Sequence, residues 1–167
     1  VVDWAGWKLP TSDWTYRLNP SSVPSSVGGS NLPTIVSNSI TNWNQALATS
    51  SAKPNLVAGA STTKTRSGYD GQNIIAWGNT SRSALGVTYI RYYVSSGIAV
   101  DVDTIMNRRV VWGWSPACGT TSYDAQNVMM HELGHWYGLD DEYELPYLEN
   151  TMYGYASRGE IKKDTLT

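Results

Sequence analysis

Apolar residues recur at three- and four-residue steps in two stretches of the chain and at strand-like intervals between them. In the first stretch Pro33 stands where an opening helical turn tolerates it. Ile35 or Val36, Ile40, Trp43 and Leu47 then make one stripe, so a helix is predicted from Pro33 until Lys53-Pro54 ends it. In the second stretch Val128, Met129, Leu133 and Trp136 mark an apolar helical face, and Thr121-Ser122-Tyr123-Asp124 reads as the capping box that starts it. A short strand, Trp14 to Leu18, precedes a Ser/Pro/Gly loop from Asn19 to Asn31. Between the helices lie β-rich runs at Leu56–Ala60, Asn73–Trp77, Val87–Val94 and Ile98–Met106, with Val110–Trp114 as a hairpin return. Apolar and polar residues partly alternate in Val87–Tyr93 and Ile98–Met106. Each of these strands is therefore expected to have a wetter face, and at least one to lie at an edge or beside a cleft.

The chain has 167 residues, 41% of them hydrophobic, which is enough for one core, and no repeat or long linker divides it; a single domain over 1–167 is expected. Eight Trp and eleven Tyr exclude disorder over most of the length. A net charge of -2 without any long basic run argues against nucleic acid and against a polybasic membrane anchor. No apolar stretch approaches the ~18 residues of a membrane span. The lone Cys118 excludes an internal disulfide framework and reads as a buried apolar residue or one whose partner lies elsewhere. The opening Val1-Val2-Asp3 reads as a mature fragment, with secretion expected after removal of a signal peptide and a pro-segment.

Both histidines of the protein, His131 and His135, stand four residues apart on the second predicted helix, with Glu132 directly after the first. Positions i and i+4 share a helical face, so the two imidazoles can hold one Zn²⁺. Glu132, turned ~100° away, can reach a water on the metal from the side. Gly134, between the ligands, leaves room for a close neighbour. Gly138 can adopt a left-handed conformation that stops the helix and turns the chain back toward the metal. A catalytic zinc needs a third protein ligand and one open position. From the residues alone that ligand is open among Asp140, Asp141, Glu142, Glu149 and Glu160; Asp140 and Glu144 also suit a solvated acidic turn.

His131, Glu132, His135, Gly138 and Asp141 together resemble the metzincin metalloprotease motif H-E-x-x-H-x-x-G-x-x-H/D, in the snapalysin-like form with Asp last. The resemblance assigns the third zinc ligand to Asp141. Thr151-Met152-Tyr153-Gly154-Tyr155 looks like the family's Met-turn, which puts the Met152 thioether beneath the zinc and makes Gly154 and Tyr155 a candidate wall of the substrate pocket. Tyr153 or Tyr155 is a candidate for steadying an oxyanion. Upstream, Ala99 to Asn107 is similar to a matrixin strand, and Leu85-Gly86-Val87-Thr88 to its neighbouring edge strand. The likeness runs from about Leu85 to Tyr155.

The resemblance implies an α/β (α+β) metzincin-like fold: a twisted, mixed, mostly parallel sheet packed on two long helices, with zinc in a cleft above the Met-turn. It implies a monomeric, zinc-dependent endopeptidase with Glu132 as general base. The substrate would be a protein or peptide, held along an edge strand within Ser83 to Val94. With no further histidine in the chain, a second histidine-held zinc is excluded. Calcium is left open, because Asp70, Asp101, Asp103 and Asp124 lack a recognisable loop spacing. The rival reading is a non-catalytic, aromatic-rich module that binds a glycan or another polymer, and zinc content separates the two.

Overall fold

The computed structural model describes residues 5–50, 53–81, 83–114, 119–143, 150–152 and 154–164. Five strands form one sheet: β1 (Asp13–Leu18), β2 (Asn55–Ala58), β3 (Asn73–Gly78), β4 (Gly86–Tyr92) and β5 (Ala99–Asn107), in the order β2-β1-β3-β5-β4. All neighbours are parallel except β4, which runs antiparallel to β5 and forms one edge. This is a mixed, mostly parallel sheet in an α/β arrangement with two helices, α1 (Leu32–Ala46) and α2 (Ala125–Trp136). No helix among the described residues is long and apolar enough to cross a membrane.

The period-2 alternation of β3 separates two apolar layers. Ile75 and Trp77 enter the main core with Val36, Trp43, Met106, Met129 and Trp136, while Ile74 and Ala76 join Ile105 in a smaller cluster. The helices pack on each other through the stripe read from the sequence. Trp43 Nε1 donates to the Met130 carbonyl at 2.8 Å, and Tyr137 Oη donates to Asn44 Oδ1 at 2.8 Å. Among the described Trp residues none is exposed, so the aromatics of this type supply core and cleft rather than a surface platform.

Four expectations need correction. Helix α1 ends at Ala46 rather than at Lys53, because the backbone closes into turns, with the Ser50 N–H on the Leu47 carbonyl at 2.9 Å. Val110–Trp114 is not a hairpin return: its Trp112-Gly113 (β6) pairs in parallel with Tyr123-Asp124 (β7). That pairing keeps Tyr123-Asp124 extended, so the capping box does not form. Helix α2 starts at Ala125 with Asp124 as its N-cap, accepting from the Asn127 N–H at 2.8 Å. Strand β5 has no wet face, since it lies between β3 and β4 and its polar residues are buried among backbone donors.

Candidate metal centre

Helix α2 places His131, Glu132 and His135, all buried, at the inner side of a cleft of about 600 Å³. Gly138, at φ +86°, terminates the helix: the Leu139 N–H bonds the Gly134 carbonyl at 3.2 Å and the Gly138 N–H the His135 carbonyl at 3.0 Å. This is the Schellman pattern, and it requires a left-handed residue that glycine adopts without a side-chain clash. The reversed chain carries Asp141 back over the helix, where Asp141 Oδ1 lies 2.7 Å from His131 Nε2 and 3.5 Å from His135 Nε2. One ligand atom from each of the three residues falls within 4.8 Å of the others.

The other ring nitrogens fix the tautomers. His131 Nδ1 donates to the Thr151 carbonyl at 2.9 Å and His135 Nδ1 to the Leu139 carbonyl at 2.8 Å, since a carbonyl can only accept. In neutral rings both Nε2 lone pairs therefore face one carboxylate oxygen, an arrangement that is repulsive unless a proton or a metal cation lies between them. Burial alone would lower the His135 pKa. The Asp141 carboxylate, with Glu132 behind it, reverses that and raises it to about 9, while the imidazoles hold Asp141 far below the usual carboxylate range. Two imidazoles and a carboxylate, each ring oriented by a backbone carbonyl, form a donor set that fits Zn²⁺.

The remaining acidic candidates stand elsewhere. Asp140 is exposed and accepts the Asp141 N–H at 2.8 Å. The backbone of Glu142 pairs with the turn below, its N–H on the Met152 carbonyl at 2.8 Å and its carbonyl accepting from Gly154 at 2.7 Å. Glu160 Oε2 accepts the Ser157 N–H at 3.1 Å, and its Oε1 accepts from Asn127 Nδ2 at 3.4 Å. Glu144, Glu149, Tyr153 and Cys118 lie outside the described residues.

Met152 is buried directly against α2. A β-carbon on Gly134 would lie 2.2 Å from Met152 Sδ and 2.9 Å from Trp43 Cζ2, so the glycine between the two histidines is what admits the sulfur. Gly154 serves the same purpose for the Tyr143 ring, whose Cε1 would be 2.3 Å from an added β-carbon. Tyr155 is exposed, with its ring edge-on to Tyr143 at 5.3 Å, and both Gly154 and Tyr155 line the cleft.

Several residues of the site carried no signal in the sequence. Thr88 of β4 donates from Oγ1 to Glu132 Oε2 at 2.6 Å, and its hydroxyl is 2.7 Å from Thr104 Oγ1, which accepts Trp136 Nε1–H at 2.8 Å. Trp7 Nε1 donates to the His135 carbonyl at 3.0 Å, bringing the N-terminal segment to the end of α2. Their partners are 16 to 128 residues distant, beyond any local spacing rule. The sequence reading placed Thr88 on an edge strand, Thr104 on the neighbouring strand and Trp136 on the helical face, without linking any of them to Glu132.

The carboxylates considered for calcium are engaged by their own chain. Asp101 Oδ2 accepts from the Asp70 and Gly71 N–H groups, both at 3.2 Å. Asp103 accepts from Ile74 at 3.0 Å and Gly68 at 3.1 Å, with Arg91 Nη1 3.4 Å from Asp101 and 3.5 Å from Asp103. Asp70 pairs with Lys64, and Asp124 caps α2. No protein-family model matches the chain, and no curated protein matches it in sequence.

Proposed function

We propose that the protein is a zinc-dependent endopeptidase of the metzincin type, with His131, His135 and Asp141 as ligands and Glu132 as general base. The observation that carries this reading is the convergence of two tautomer-fixed Nε2 atoms on Asp141 Oδ1 in a cleft that also contains the Glu132 carboxylate. The wedge of Met152 beneath Gly134, with the Thr151 carbonyl on His131, favours the Met-turn assignment.

Bound zinc would supply Lewis acidity, polarising a substrate carbonyl and lowering the pKa of a water. Glu132 takes the proton from the attacking water and returns one to the leaving amine. Thr88 holds the Glu132 carboxylate by its Oε2. The edge of β4, whose Gly86 to Thr88 line the cleft, offers main-chain groups to an extended peptide in the manner of an added strand. The rival glycan-binding reading depends on exposed aromatic platforms; none of the described Trp residues is exposed, and the exposed aromatics are tyrosines, Tyr69, Tyr93 and Tyr155 among them.

Metal analysis combined with casein and peptide-library digestion, with and without a chelator, tests the proposal. One equivalent of zinc and chelator-sensitive internal cleavage are expected; a protein that takes up no zinc, or that cleaves equally well after its removal, would overturn it.

A further inference from the structure

The segment from Ala5 to Leu9 bridges the end of α2 and the start of β5. The Ala5 N–H bonds the Gly138 carbonyl at 2.8 Å, the Lys8 N–H bonds the Gly97 carbonyl at 2.8 Å, and the Lys8 carbonyl accepts the Ala99 N–H at 2.9 Å. This segment and the turns after α1 border a second cavity, of about 310 Å³, which shares only Trp7 with the histidine cleft among the described lining residues. Its walls are mostly apolar: Ala5, Leu9, Leu47, Pro54 and the Tyr137 ring, with Trp7 as the partition. Tyr137 Oη donates to Asn44 and Trp7 Nε1 to the His135 carbonyl, so both polar hydrogens are engaged elsewhere and the rings contribute carbon surface. Walls tied by backbone bonds keep the cavity formed without an occupant, which lowers the cost of filling it.

Lys8 and Lys53 are the only charged residues among the described lining. Lys8 is exposed and Lys53 half-buried, whereas Leu9, Pro54 and Tyr137 are buried, so the cations stand at the mouth and the apolar groups at the floor. Neither ammonium forms an ion pair with a described residue. A wholly polar anion would leave the apolar floor against water, a neutral apolar molecule would leave the lysines unused, and a cation would be repelled by both. An apolar body with one anionic head meets floor and mouth together.

We propose that this cavity binds a free organic acid, a carboxylate carrying a medium-length apolar chain, with the chain against Leu9, Leu47, Pro54 and Tyr137 and the head at Lys8 and Lys53. It is a binding site apart from the histidine cleft and does not depend on the zinc chemistry proposed above.

The test is calorimetric titration of the full chain, with and without added zinc, at low ionic strength. The probes are the fatty acids from butanoate to decanoate, with octanamide and octylammonium as the neutral and cationic counterparts of octanoate. Affinity should rise by about fourfold per added carbon, the value of one buried methylene, and level off once the cavity is full. Octanoate should bind about tenfold tighter than octanamide, and Lys8→Gln and Lys53→Gln should each weaken octanoate by about threefold while leaving octanamide unchanged, as partly exposed charge pairs do. Octylammonium should not bind. Location is read separately: with fluorotryptophan incorporated, octanoate should shift the Trp7 fluorine resonance, identified by its absence in Trp7→Phe. Leu47→Trp, which fills the cavity, should abolish binding of octanoate and octanamide alike; if that variant does not fold, the Trp7 resonance still locates the ligand. Equal affinity for octanoate and octanamide, an octanoate affinity indifferent to both lysine variants, an unmoved Trp7 resonance or no saturable binding at any chain length overturns the proposal. An affinity that follows zinc content instead of the lysines would place the carboxylate on the metal and overturn it as well.

Discussion

Thr88 Oγ1 lies 2.6 Å from Glu132 Oε2, and the hydrogen of that hydroxyl is committed to the carboxylate. Thr104 must then donate to Thr88 across their 2.7 Å contact, and Trp136 Nε1–H supplies the next donor at 2.8 Å. Three groups from β4, β5 and α2 thus form a one-directional chain that ends on the proposed base. Cooperative chains of this type orient their acceptor more firmly than a single bond. Thr88→Val should lower kcat/KM by roughly tenfold, the value of one bond to a charged acceptor, with zinc content unchanged. Thr88→Ser should recover most of the loss. Full activity in the Val variant would show that Glu132 is positioned without this chain.

Glu132 sits beside the proposed ligands without belonging to the His131-His135-Asp141 group. Glu132→Ala should therefore keep fold and bound zinc and lose turnover by at least ~10²-fold. Parallel metal analysis and peptide kinetics check this, and equal activity would refute the assigned chemistry.

Asp141 contributes the oxygen on which both Nε2 atoms converge. Asp141→His can still complete three ligands whereas Asp141→Ala cannot, so dialysis against a weak chelator should strip zinc from Ala much faster than from His. An Ala variant that holds zinc like the parent would move the role to another carboxylate.

Gly134 and Met152 form a matched pair. Gly134→Ala would ordinarily stabilise a helix interior by about 1 kcal/mol, but here the methyl meets Met152 Sδ and Trp43, so overpacking of about 1–3 kcal/mol should prevail. Met152→Leu, which conserves volume, should be destabilising by less than ~1.5 kcal/mol and leave zinc bound. In a Met152→Ala background the Gly134→Ala penalty should shrink, and urea denaturation of the four combinations measures that coupling.

The Asp103 carboxyl is pushed up to about 6 by burial, with Asp101 adding to the shift and the Ile74 and Gly68 N–H groups opposing it. Between pH 4 and 6 the folded chain retains a proton that the unfolded chain has released, so this group's contribution falls as pH rises through that window and is constant above it. The change amounts to roughly 3 kcal/mol at most for a shift of this size. Asp103→Asn should remove that slope. Urea midpoints of parent and variant from pH 4 to 7 compare them directly, and parallel profiles would show that Asp103 does not titrate there.

The sequence by itself determined the features whose causes are local. The 3.6-residue stripe of α1, the short apolar β-rich run of β3, the histidines one helical turn apart and the left-handed Gly138 all follow from backbone geometry within a few residues. Where an element's end depends on a partner, local signals failed. The capping phrase at Thr121 is overridden because Tyr123-Asp124 pairs with Trp112-Gly113, and Asp101 and Asp103, which looked like a wet strand face, are buried acceptors for loop N–H groups. The family resemblance singled out Asp141 among the acidic residues, and the tertiary structure brings it to the histidines; only the tertiary structure decided which carbonyls fix their tautomers and that Thr88, Trp7 and Lys163 border the same cleft. The contacts of Thr88 and Trp7 with α2 join residues 44 and 128 positions apart, and their geometry is set by how the sheet and the N-terminal segment pack on α2, which no spacing within the sequence encodes.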